Sequence, residues 1–278
     1  MILITGGRGA VATHLLTLLR EHGTPVRVAS SAPGELDLPE DVPSVALDLT
    51  DPATFPAALA GVTSVFLYAT ADHITEFADR AAEAGVDHIV LLSSSSVLGP
   101  DPEDDLLAKS HLDVEKALLA SPVATTILRP GAFAGNAGGW AWSIASGTPV
   151  SLPFPGAYAE PVHEKDVAEA AFSALTDPRH RGGRFTLTGP ATMTFTEQID
   201  QLAAVIGRPI ATKRVTPEEW KSEMAAYVPG PYADALVNWW QSNDGKPGEP
   251  TGGVEDLTGH PARAFATWVA DHAADFTR

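Results

Sequence analysis

Apolar residues in the first 130 positions fall into two rhythms. Short, nearly unbroken apolar runs occupy Met1–Thr5, Val26–Ala29, Val45–Asp48, Ser64–Tyr68, His88–Ser93 and Thr125–Leu128. Between them the apolar positions follow helical spacing. Val11, Leu15, Leu18 and Leu19 share one face, and Gly23 supplies a stop signal. Similar spacing predicts helices over Pro52–Leu59, Thr75–Glu83 and Leu106–Ala120. Strands that do not alternate in polarity are buried on both faces, so the pattern predicts a doubly wound α/β fold with a parallel sheet. After Pro130, glycine, proline and tryptophan become denser, as in GAFAGNAGGWAW and LPFPGAYAEP. Helices are expected over Glu164–Thr176, Thr196–Ile206, Pro217–Tyr227 and Pro261–Phe276. Strands are expected over Arg184–Leu187 and Ile210–Arg214, and a loop over Asn243–Gly253. The chain thus divides into residues 1–130, a nucleotide-binding domain, and residues 131–278, a smaller α/β substrate region or lid packed on the sheet edge.

The segment MILITGGRGAVATHLL carries the clearest chemistry. A buried strand runs to Thr5, Gly6, Gly7 and Gly9 form a turn, and a helix begins near Ala10. Gly6, Gly9 and Ala12 have G-x-x-G-x-x-A spacing, the context of a Rossmann-type dinucleotide site. Small residues let backbone N–H groups approach a pyrophosphate, and the helix N-terminus adds partial positive charge. NAD sites usually carry an acid at the end of the second strand, about 20 residues on. Here that strand ends Val28, Ala29, Ser30, Ser31, and no acid precedes Glu35. Arg8 is placed to pair with a 2′-phosphate, with Ser30 and Ser31 adding hydrogen bonds. The expected cofactor is NADP(H) in preference to NAD(H). Asp48 closes the third strand, within reach of the adenine amino group, with helix capping as its alternative role. Tyr68, Ala69 and Thr70 lie on the expected cofactor path.

Charge and composition narrow the remaining classes. The 278-residue chain has a formal net charge of −17, which argues against nucleic acid or an anionic membrane as partner. It has no cysteine, so thiolate chemistry and cysteine-bound metals are excluded. The histidines show no metal-ligand spacing, and no metal is expected. Met1 leads straight into Ile2, Leu3 and Ile4, without a basic leader, and no apolar run reaches the roughly 18 residues of a membrane span. A cytoplasmic monomer or homodimer acting on a small molecule is expected.

Over nearly its whole length the chain resembles the NmrA-like group of atypical short-chain dehydrogenases/reductases. The resemblance rests on TGGRGAVA, IVLLSSSSV, HLDVEKALLAS followed by TILRPGAF, PVHEKDVAEAA, FTLTGP and VEDLTGHPARAFATWV. That group includes NAD(P)H-dependent quinone and carbonyl reductases, and redox-sensing regulators that bind NADP without known turnover. In the wider superfamily a serine near the end of the fifth strand cooperates with Tyr-x-x-x-Lys, and a glutamate commonly follows the Lys by four positions. Aligned on Glu115, His111 takes the Lys position and Leu107 the Tyr position. The serine falls within Ser93–Ser96, best matched by Ser94, with Ser93 on the cofactor side. The tyrosine proton donor is therefore missing. His111 is the remaining titratable candidate, with a surface helix histidine as the alternative, and Ser94 equally suits a backbone-satisfying role.

The segment LRPGAFAGN follows the sixth strand, at the strand ends where doubly wound folds place ligands. Its backbone around Pro130–Phe133 should pass the nicotinamide, with Asn136 presenting an amide to substrate. Phe133, Trp140 and Tyr158 are candidate substrate contacts, and Trp142, Phe154, Tyr227, Trp239 and Trp240 further aromatic walls. His163 is placed to face the pocket, while Asp166 serves the start of its helix. These features together imply an NADPH-dependent reductase of a small cyclic or aromatic carbonyl, quinone or enone. The alternatives are a non-catalytic NADP(H) sensor and a redox-neutral isomerase or epimerase.

Overall fold

The computed structural model describes residues 1–68 and 71–277. Ala69 and Thr70, expected on the cofactor path, lie outside the described residues. The strands are β1 (Ile2–Ile4), β2 (Val26–Ser30), β3 (Ser44–Ala46), β4 (Ser64–Tyr68), β5 (His88–Leu92), β6 (Ala124–Pro130), β7 (Val150–Leu152), β8 (Tyr158–Ala159), β9 (Arg184–Leu187), β10 (Met193–Thr194) and β11 (Thr212–Arg214). The helices are α1 (Ala10–Glu21), α2 (Phe55–Leu59), α3 (Ile74–Glu83), α4 (Leu106–Ala120), α5 (Ala141–Ser146), α6 (Glu164–Thr176), α7 (Phe195–Ile206), α8 (Pro217–Met224), α9 (Gly230–Asn243), α10 (Gly253–Thr258) and α11 (Phe265–His272).

Seven strands form one parallel sheet in the order β3-β2-β1-β4-β5-β6-β9. The chain winds outward from β1 to β3 and then returns to β4 on the other side of β1. That reversal opens a crevice at the C-terminal ends of β1 and β4, where ligands bind in such sheets. Successive strand residues point to opposite faces, and both faces are covered. Ile2, Ile4, Phe66 and Val90 pack with Val11, Leu15 and Leu19 of α1 and Val167 and Ala171 of α6. Leu3, Val65, Leu67, Ile89 and Leu91 pack with Phe55, Phe77, Val114 and Leu118 on the other face. This two-sided burial is why the strands read as unbroken apolar runs. Leu15 and Leu19 are fully buried; truncating either to Ala would cost about 2–5 kcal/mol.

The expected division at Pro130 does not separate the cores. Strand β9 pairs with β6 (Leu128 opposite Phe185), and α6 and α10 pack onto the same sheet layer, although all three follow Pro130. An outer strand needs a hydrogen-bonding neighbour, and β9 supplies it. A separate core draws on Ala134, Ile144, Leu152, Ala159, Ile199, Leu202, Trp268 and Phe276.

Several element ends differ from expectation. β3 stops at Ala46 rather than Asp48, because Asp48 Oδ1 accepts from Thr50 N (2.9 Å) and Thr50 Oγ1 (2.7 Å) and turns the chain. Helix α8 ends at Met224, short of Tyr227. Helix α11 starts at Phe265 rather than Pro261, since Arg263 N donates to Asp166 (2.7 Å) before the helix begins. Helix α9 was not expected; Pro231 in its first turn is the signal that marks it.

Candidate cofactor and active site

Two contiguous clefts cross the C-terminal edge of the sheet, and a third adjoins them between α1, α6 and α11. The first, of about 230 Å³, is lined by Gly6, Gly7, Arg8, Ala29, Ser30, Ser31, Leu47, Asp48 and Tyr68, among others. The second, of about 370 Å³, shares Thr5, Gly6 and Tyr68 with the first and continues past Gly9, Ala10, Val11, Ala12, Leu92, Phe133, Asn136 and Glu164. The third, of about 260 Å³, adjoins it at Ala10, Gly135 and Glu164 and ends against Trp268, His272 and Phe276.

The glycine turn builds the junction of the first two clefts. Gly6 has φ +64°, the left-handed region that favours glycine. A Cβ on Gly7 would overlap Val28 Cγ1, so only glycine lets the turn lie against β2. Gly9 is the N-cap of α1, and no side chain caps that helix. Its first-turn N–H groups have no intrahelical partner and face the second cleft. The turn is fixed by Gly9 N donating to Gly6 O (2.8 Å) and Thr5 N donating to Phe66 O (3.0 Å).

Around the first cleft, Arg8 Nη1 donates to Glu35 Oε2 (3.0 Å), and both side chains are exposed. Such a pair is readily screened and exchanged. Ser31 is exposed, whereas Ser30 is buried and its hydroxyl accepts from Ala32 N (3.1 Å). Hydrogen bonds from Thr50 hold the Asp48 carboxyl below its ordinary range. Capping falls to Asp51, which accepts from Ala53 N (3.1 Å). Tyr68, 57% exposed, stands between the first and second clefts.

The end of β5 is a closed polar cluster. Ser93 is buried, and its hydroxyl donates to Glu115 Oε1 (2.6 Å). Arg129 clamps the same carboxylate through Nε (2.9 Å) and Nη2 (2.5 Å). Ser94 Oγ caps the following 3₁₀ turn, accepting from Ser96 N (3.2 Å) and from Ser96 Oγ (2.9 Å). The Ser93 proton is thus committed to Glu115, whereas Ser94 Oγ is fixed in place as an acceptor for Ser96. His111 is half-buried on α4, its Nδ1 is buried without a partner among the described residues, and burial lowers its pKa. It is not among the residues lining the three clefts.

Pro130 is buried at the end of β6, and Phe133 and Asn136 line the second cleft. The other substrate candidates are placed elsewhere. Trp140 packs edge-on to Phe195 (5.9 Å between ring centroids) within the separate core. Tyr158 sits on β8, opposite Thr194. Trp142 and Tyr227 are exposed. His163 is fully buried and caps α6, its Nδ1 accepting from Lys165 N (3.1 Å). His163 turns to the helix rather than to the pocket because a side chain at the N-cap is drawn to the first free backbone N–H groups. Asp166 lies in the first turn of α6, as expected of an acid that serves the helix start, and it also pairs with Arg263. Asp166, Glu169 and His260 bring potential ligand atoms within 4.8 Å of one another, but Arg263 binds both carboxylates.

Sequence reasoning missed Glu164, His14, Trp268 and His272, which line the third cleft. Glu164 reads in the sequence as an ordinary first-turn acid, favourable to the helix dipole.

A family model described as NAD(P)H-binding matches residues 6–178, from the glycine turn through α6 to the start of the following loop. The chain belongs to this NAD(P)H-binding family. Among its relatives in the family of reductases, the (4-alkanoyl-5-oxo-2,5-dihydrofuran-3-yl)methyl phosphate reductase of Streptomyces griseus is 35% identical, covering 99% of each chain. An NAD(P)H azoreductase of Xenophilus azovorans is 32% identical, again over 99% of each. In fold, the NADPH-dependent quinone oxidoreductase of Escherichia coli superposes with a TM-score of 0.82 at 21% identity, covering 98% of this chain and 99% of that one. Among the described residues no helix is long and apolar enough to cross a membrane.

Proposed function

We propose that the protein is an NADPH-dependent reductase whose acceptors are conjugated, electron-poor π systems: quinones, enones or related cyclic carbonyls. The cofactor's 2′-phosphate is read by Arg8 and Ser31, with Glu35 giving up its exposed contact. Asp48 faces the adenine end. The backbone from Gly7 to Ala12 holds the pyrophosphate at the uncapped start of α1. Leu92 and Phe133 form the apolar wall beside the nicotinamide, and Asn136 is offered to the acceptor. When bound, NADPH supplies the hydride.

The observation that carries the acceptor class is the closed cluster at the end of β5. Reduction of an isolated ketone builds a localised alkoxide, which needs a proton donor in place. Here Leu107 replaces the tyrosine, the Ser93 proton is given to Glu115, and Ser94 is tied into the 3₁₀ turn as the acceptor of Ser96. Hydride addition to a quinone or enone leaves a delocalised anion that water can protonate. The two relatives, one a reductase of a butenolide phosphate and the other an azoreductase, support acceptors of this kind.

Stopped-flow loss of NADPH absorbance tests the reading. Turnover is expected with quinones and cyclic enones and not with saturated ketones. Preferred turnover of saturated ketones overturns it. Tight NADPH binding without turnover of any acceptor also overturns it, in favour of a sensor. Arg8→Ala is expected to raise the Kd for NADPH about tenfold while leaving NADH nearly unchanged. Equal losses would remove Arg8 from phosphate recognition.

A further inference from the structure

Two residues that line the third cleft each hold a buried polar atom with no role in the reading above. Glu164 is 8% exposed and Trp268 is 3% exposed. Glu164 Oε1 accepts from Gly135 N (2.8 Å). Glu164 Oε2 has no hydrogen-bond partner among the described residues, nor has Trp268 Nε1. Both residues line the same chamber of about 260 Å³. His163 Nδ1 lies 3.6 Å from Glu164 Oε2, but that nitrogen already accepts from Lys165 N and carries no proton to give. A Cβ on residue 135 would overlap Glu164 Oε1, so Gly135 is what admits the carboxylate. Leaving a buried carboxylate oxygen and an indole N–H without partners is costly. A site built that way calls for a ligand that pairs both.

We infer that this chamber is the polar end compartment of the active-site cleft, and that it binds a neutral group carrying both a hydrogen-bond donor and an acceptor. Glu164 Oε2 accepts from the ligand's N–H or O–H, and Trp268 Nε1 donates to its oxygen. Anionic groups are disfavoured, because Glu164 and Asp275 both line the chamber. The inference rests on the cofactor reading above for its orientation. With adenosine in the first cleft and the pyrophosphate at α1, the chamber lies at the nicotinamide end. A primary carboxamide carries both a donor and an acceptor, and two sources can supply such a group: the cofactor's own carboxamide, or an amide or hydroxyl arm of the substrate.

The test compares wild type with Glu164→Gln and Trp268→Phe. Gln keeps an acceptor for Gly135 N but presents an amide in place of Oε2. Thermal melts establish that both variants fold. NADPH affinity is then measured by fluorescence titration, beside the acetylpyridine analogue of NADPH, which lacks the amide N–H. If the cofactor carboxamide occupies the chamber, Glu164→Gln weakens NADPH about tenfold. The analogue then binds wild type and variant alike. If the substrate arm occupies it, NADPH affinity is unchanged, and KM for a hydroxylated quinone rises about tenfold while that for the parent quinone does not. Unchanged affinities and KM values in both folded variants overturn the inference. Failure of wild type to bind NADPH at all would overturn the cofactor reading instead.

Discussion

The turn after β1 and the turn after β5 lie at the same end of one sheet, with β4 between them, yet they handle polar groups in opposite ways. After β1, the groups presented to the cleft are backbone N–H groups at the start of α1, and no side chain satisfies them. After β5, the groups are side chains, and they satisfy one another: Ser93 with Glu115, Glu115 with Arg129, Ser94 with Ser96. The first arrangement is complete only with an anion present. The second is complete without any ligand. Cofactor binding is therefore built into the backbone, while the turn where the wider superfamily keeps its cooperating serine is tied into the scaffold.

The comparison breaks most severely if the closed cluster is opened. Glu115→Ala would leave Arg129, largely buried, without its partner. Removing one member of a buried pair costs about 3–5 kcal/mol, so denaturant unfolding should show a loss of that size. A loss under about 1 kcal/mol, the scale of an exposed pair, would mean that the cluster is not structural.

The other end of β5 holds a buried histidine that is only half satisfied. Thr126 Oγ1 donates to His180 O (2.9 Å), so it accepts from His88 Nε2–H (2.9 Å), and His88 Nδ1 is left bare and buried. Burial pushes the His88 pKa from 6.5 to about 4, with Arg181 adding to the shift. For a base with a depressed folded pKa, stability is full above about pH 6.5 and is lost as the pH falls towards 4. The loss amounts to at most about 3 kcal/mol. Urea midpoints of wild type should fall across that window, and those of His88→Leu should fall less. Parallel curves for the two proteins would assign the loss to other groups.

How much of this could be read from the chain depends on what kind of group does the work. Helices α4 and α6 were legible to the residue, because their apolar faces follow helical spacing. The glycine turn was legible because a backbone site demands small residues at fixed spacing. Side chains were legible in place but not in role. Ser93 and Ser94 lie where expected, yet their partners depend on how α4 and β6 pack against β5. Glu164 was hidden because a first-turn acid is common, and its meaning appears only when Gly135 and Trp268 close around it. The division at Pro130 missed because β9 returns to the sheet after a long excursion through the separate core.

The smallest effect is the most discriminating for the β5 turn. Ser94 stands where a catalytic serine would, so its removal separates the two roles. A serine capping a 3₁₀ turn contributes about 0.5–1 kcal/mol. A catalytic hydroxyl touching the reacting oxygen would contribute about 100-fold or more in rate. Ser94→Ala should therefore lower stability slightly and leave kcat on a quinone within about twofold, since the hydroxyl already serves Ser96. A hundredfold fall in kcat with an unchanged melting temperature would show that the hydroxyl leaves Ser96 when substrate arrives. The β5 turn would then be as open to ligands as the β1 turn, and the contrast between them would vanish.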